Sequence, residues 1–113
     1  MTEYALNLLK DVRNVCIQTP TGRSDKQRKE NIYRACKQRC NYYLELAQNE
    51  RDPANFSRPS EEEIRIHFLS NMISNPRSEF NISLTSEEYA SHIIEICEMA
   101  ARDEERHNGN ANN

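Results

Sequence analysis

Residues 24–50 read SDKQRKENIYRACKQRCNYYLELAQNE, and the period of this stretch decides the fold. Ile32, Ala35, Cys36, Cys40, Tyr43, Leu44 and Ala47 recur at steps of three, four and seven. That spacing gathers side chains on one face of an α-helix. Ser24 with Gln27 forms a capping box: the serine oxygen accepts a free amide of the first turn and the glutamine side chain reaches back. Asp52-Pro53 forces a stop, because the residue before proline is pushed out of the helical region. A helix is therefore predicted over 24–49, about 39 Å long at 1.5 Å per residue.

The same stretch is split in character. Residues 23–39 carry seven basic and two acidic side chains, whereas the second half carries tyrosine, leucine, alanine and cysteine. Nothing apolar occurs between Asp25 and Asn31. Those first two turns have no apolar surface to bury, so they are expected to project from the domain, fray or meet a partner.

Working outward, Thr2 to Ile17 predicts a first helix, with Tyr4, Ala5, Leu8, Leu9, Val12, Val15 and Cys16 on its inner arc. Leu6 and Ile17 fall outside that arc. Ser60 with Glu63 opens a third helix expected to run to about Ser74, where Asn75-Pro76 closes it. Its main face is read as Ile64, Phe68, Leu69 and Met72, widened by Ile66 and Ile73, which makes it the most buried helix expected. Thr85 with Glu88 opens a fourth, running to about Arg106 with Tyr89, Ala90, Ile93, Ile96, Cys97, Ala100 and Ala101 inward. Phe80, Ile82 and Leu84 alternate with polar residues and are expected to lie across the bundle as an extended strap. Phe56, in the connection from Arg51 to Pro59, is expected to anchor that loop on the bundle.

These elements predict an all-α, compact four-helix bundle of up-down topology, with a long second helix and a strap before the last. Residues 1–107 form a single domain in this reading, and 108–113 a disordered polar tail. The chain has 113 residues with only two glycines and four prolines, too few turn residues for a closely turned β-sandwich.

Net charge is −3 and mean hydropathy −0.95. The charge is segregated: against the basic stretch stand residues 79–107, with eight acidic and two basic side chains. Such a division suits opposed faces, internal attraction or head-to-tail self-association. No run approaches the roughly 20 apolar residues of a membrane span. The four cysteines, Cys16, Cys36, Cys40 and Cys97, fall on or beside apolar stripes, as buried thiols in a reducing compartment do. A cytoplasmic or nuclear setting is expected.

Catalytic signatures are absent: there is no Gly-rich phosphate loop, no Ser/His/Asp pattern and no His-Glu-x-x-His. Cys36 and Cys40 stand one turn apart, yet a zinc site needs two further ligands and no second pair accompanies them. They are read as lining the core. His67 borders the third helix's main face, and His92 its fourth-helix polar side. No enzyme, cofactor or metal is expected. The candidate site is the basic stretch: Lys26, Arg28, Lys29, Tyr33, Arg34, Lys37 and Arg39. It suits an acidic protein surface, including another copy of the chain, which makes the leading expectation a protein-interaction module or regulator. The same cations interleaved with Tyr33 also suit a phosphate backbone, so a helical nucleic-acid-binding regulator is the alternative. A solvated helix face is the plainest account of such a charge run.

Overall fold

Three capping boxes set where helices begin. Ser24 Oγ accepts from the Gln27 amide at 3.1 Å, while Gln27 Oε1 accepts from the Arg23 amide at 2.8 Å, one residue earlier than the simplest box. Ser60 and Glu63 exchange the two bonds reciprocally, at 3.2 and 2.7 Å. Thr85 and Glu88 do the same at 3.1 and 3.0 Å. Each pair satisfies two amides that a helix start leaves without an intrahelical acceptor.

The computed structural model describes residues 3–18, 21–51, 58–79 and 84–111, and the side chains of all these except 75–79 and 107–111. Four helices follow: α1 (Glu3–Ile17), α2 (Asp25–Asn49), α3 (Glu61–Glu79) and α4 (Ser86–Ala111), with no strand among the described residues. Contacts between distant residues fix the topology. Tyr4 donates to Glu50 at one end of the bundle, and Arg28 meets Ser86 at the other. Arg13 pairs with Glu98 at mid-height. α1 and α3 therefore run one way and α2 and α4 the other, in an up-down four-helix bundle measuring 48 × 28 × 22 Å. Each helix packs on its chain neighbour, and α1 closes the ring by packing most extensively on α4, leaving α2 and α4 at opposite corners.

The core is a single cluster drawn from all four helices. Leu8 and Val12 of α1, Ile66 of α3, and Tyr89 and Ile93 of α4 are completely enclosed. Ile32, Cys36, Cys40, Tyr43 and Ala47 form the α2 contribution, as their spacing predicts, with Ala35 and Leu44 half-buried at the margin.

Helix α3 departs from expectation. Ile64 and Phe68 point to solvent, 56% and 63% exposed, and Met72 is half-buried. The buried face carries Glu62, Glu63, Ile66, Leu69 and Ile73, so α3 is not the most buried helix. Two apolar stripes compete on this helix, and polar anchors choose between them. Glu63 is held from inside by Arg51, and Glu62 Oε1 accepts the Ala5 amide of α1 at 3.1 Å. Turning Ile64 inward would take both carboxylates away from these donors.

Two helix ends also move. α3 passes through Pro76 to Glu79 instead of closing near Ser74. The proline has no amide to offer the Met72 carbonyl, and the helix continues past it. α4 runs to Ala111, past the expected end at Arg106, so α2 with 25 residues does not outreach α4 with 26. Leu84 packs half-buried on the core, whereas Phe80 to Ser83 of the expected strap, and Phe56, lie outside the described residues.

Candidate functional site

The basic start of α2 neither projects nor frays; it is docked onto the start of α4. Lys29 is 7% exposed, and its Nζ donates to the Leu84 carbonyl at 2.6 Å. Arg28 Nε donates to Ser86 Oγ at 3.3 Å and its Nη1 to the Gly22 carbonyl at 3.3 Å. Asp25 completes the junction by accepting the Ser86 amide at 2.8 Å, with Lys29 and Arg28 at 3.6 and 3.8 Å. The Ser86 amide, followed by these cations, holds the Asp25 carboxyl below its ordinary range. Polar atoms of one helix start thus satisfy those of another, which is why a segment without apolar residues is ordered here.

Gly22 makes the approach to α2 possible. Its φ is +146°, and a Cβ there would lie 2.9 Å from the Arg28 amide nitrogen. Only glycine accepts that backbone with that neighbour.

Arg39 is withdrawn from the site at a second point. It forms a two-nitrogen contact to Asp11 Oδ2 of α1, at 3.1 and 2.5 Å, and the Tyr43 hydroxyl donates to the same oxygen at 2.7 Å. Its guanidinium also lies 4.8 Å from the Tyr42 ring centre and 5.5 Å from that of Tyr43, within cation–π range. This is a helix–helix tie.

Of the seven residues singled out from sequence, Arg28, Lys29 and Arg39 are therefore structural. Lys26, Arg34 and Lys37 remain on the surface, and none forms an ion pair among the described residues, while Tyr33 lies half-buried on the same arc. The acceptors Leu84, Ser86 and Asp11 are the residues that sequence reasoning missed. They lie 55, 58 and 28 positions from their basic partners, and no local pattern marks them.

The thiols form an interior group. Cys16 of α1, Cys36 and Cys40 of α2 and Cys97 of α4 are all buried and free. A hydrogen bond between Cys36 and Cys16, reinforced by burial, raises Cys36. Burial pushes Cys97 up to about 12 and raises Cys40 as well. All of these favour the protonated thiol, a small apolar filler with no nucleophilic character. Among the described residues, no group of three or more His, Cys, Asp or Glu side chains is placed to hold a metal ion. His67 is exposed, clear of the core face it was expected to border.

Leu6 lines a shallow groove of about 410 Å³ between α1 and α4, with Leu9 and Ala101 among its apolar walls. The Arg13–Glu98 pair, at 3.2 Å, joins its two sides. No helix among the described residues is long and apolar enough to cross a membrane. No family model, curated protein or solved structure matches the chain.

Proposed function

We propose that this chain is a small helical protein-interaction module or regulator that docks an acidic protein surface through Lys26, Arg34 and Lys37, with Tyr33 beside them. The observation that carries the reading is the division among the cations of α2. Internal acceptors take Arg28, Lys29 and Arg39, while Lys26, Arg34 and Lys37 stay exposed without an internal anion among the described residues. Three such charges on a rigid helix favour rapid, salt-sensitive encounter with an anionic partner. A sequence of net charge −3 supports a protein partner over a phosphate backbone. Buried thiols support a reducing setting, cytoplasmic or nuclear. The role assigned here is binding, with no catalytic step and no cofactor.

The test is a pull-down from the native host with wild-type protein and a Lys26→Gln/Arg34→Gln/Lys37→Gln variant, each with and without nuclease. The reading expects the same proteins with and without nuclease, and their loss in the variant. Capture abolished by nuclease, with an affinity that falls steeply with salt, replaces it with the nucleic-acid reading. Capture by the variant equal to wild type reduces the face to a solvated helix surface.

A further inference from the structure

The outer side of α4 carries a second surface, independent of the cations on α2. Opposite the buried Tyr89, Ile93, Cys97 and Ala100 run Glu88, His92, Glu95, Met99, Arg102 and Arg106. They are separated by alternating steps of four and three, which places them in one straight stripe along the helix. The stripe is ordered by charge. Glutamates occupy its N-terminal half, arginines its C-terminal half, and Met99, 59% exposed, stands between them. Among the described residues, Glu95, Arg102 and Arg106 form no ion pair within the chain.

Phe68 adds to the apolar centre. Arg65 Nε lies 3.5 Å from Glu104 Oε2, which fixes the register of α3 against α4. On antiparallel helices in that register Phe68 stands level with Ala101, about 3 Å along the axis from Met99, and it is 63% exposed. An apolar centre with a charged rim is the layout of a protein interface.

We propose that this stripe is a self-complementary interface, on which a second copy of the chain packs with its α4 antiparallel to the first. The argument is charge complementarity. A two-fold axis passing beside Met99, at the height of residue 98, sets Glu95 against Arg102 of the other copy and Glu88 against Arg106. The offsets are one and two residues, about 1.5 and 3 Å at helical rise, within the reach of these side chains. Symmetry repeats each pair, so two distinct contacts become four. The two Met99 side chains meet at the axis. A parallel arrangement would instead oppose glutamate to glutamate and arginine to arginine. The stripe spans about 27 Å of one helix, less than the surface of a standard stable interface, so the dimer is weak and reversible. Because α2 and α4 occupy opposite corners, the dimer carries its two cationic faces outward.

Sedimentation velocity over a concentration series, at low and high salt, tests the proposal on the full chain. Wild type is expected to shift from monomer to dimer with concentration, less readily at high salt. Glu95→Arg alone and Arg102→Glu alone each confront like charges, and each is expected to raise the dimer Kd at least about tenfold. Mixing the two single variants restores association, since one then carries only cations at 95 and 102 and the other only anions. The double variant Glu95→Arg/Arg102→Glu likewise returns to within about threefold of wild type, the charges having exchanged places. The Lys26→Gln/Arg34→Gln/Lys37→Gln variant dimerises like wild type, which keeps this result separate from the fate of the α2 reading. A wild type that stays monomeric throughout, or single reversals that leave Kd unchanged, overturns the proposal. So does failure of the mixed variants to associate when circular dichroism shows both folded.

Discussion

The ammonium of Lys29 donates to the main-chain carbonyl of Leu84 at 2.6 Å, joining the second turn of α2 to the residue before the cap of α4. Lys26, one turn earlier, is exposed. The two lysines look alike in sequence and differ in energetic weight. Lys29→Gln should cost about 1–3 kcal/mol, since a part-buried carbonyl loses a charged donor. Lys26→Gln should stay within about ±0.5 kcal/mol. Urea unfolding of the two variants beside wild type measures the difference; equal effects would mean that the lysine–carbonyl contact contributes nothing.

Glu63 is 1% exposed and is closed upon by Arg51, whose Nε donates to Oε2 at 2.9 Å. The Arg51 guanidinium, with the Ser60 amide and hydroxyl behind it, lowers the carboxyl to about 2. An unfolded glutamate titrates near about 4.3. The folded value is depressed, so the stabilisation is complete above about pH 4.5, declines as pH falls, and is gone below about pH 2. Glu63→Gln should therefore lose about 3 kcal/mol at pH 7 and converge on wild type near pH 2. Chemical denaturation at a series of pH values gives the two curves, and parallel curves would contradict the assignment.

Ile66 is fully buried and Ile64 is 56% exposed, two residues apart on α3. Ile66→Ala should cost about 2–5 kcal/mol. Ile64→Ala should cost well under about 1 kcal/mol. The reverse order in thermal unfolding would restore the face that periodicity alone selects.

Burial protects all four cysteines, and the raised thiols of Cys36, Cys40 and Cys97 add to that protection. With Cys97 near 12, about one molecule in ten thousand carries its thiolate at pH 8. Iodoacetamide should leave native protein unmodified over the time in which urea-unfolded protein gains four labels by mass spectrometry. Cys36→Ala and Cys40→Ala should each cost roughly 1 kcal/mol through lost packing. Rapid labelling of native protein would show that the interior opens far more readily than this packing implies.

The helix starts were legible because their chemistry is local: Ser24, Ser60 and Thr85 each find a partner three residues on. The inner arcs of α1, α2 and α4 were legible because each has one apolar stripe. α3 has two, and the period cannot rank Ile64 and Phe68 against Ile66 and Ile73. What decides is Glu63 with Arg51, and Glu62 with the Ala5 amide, contacts made across the bundle. The site was legible only as a population of cations. Its division into structural and exposed members depends on Leu84, Ser86 and Asp11, which reach α2 from other helices and carry no signature of that role.

The closure of the ring by α1 on α4 has a consequence for the order in which the chain acquires its structure. α1 leaves the ribosome before α4, its largest partner, has been made. Until then Leu8, Leu9 and Val12 have only α2 and α3 to cover them, and the Lys29–Leu84 contact has not closed. Cooperative folding therefore waits for α4, and a nascent chain halted before it displays the apolar side of α1 to whatever chaperone or protease meets it.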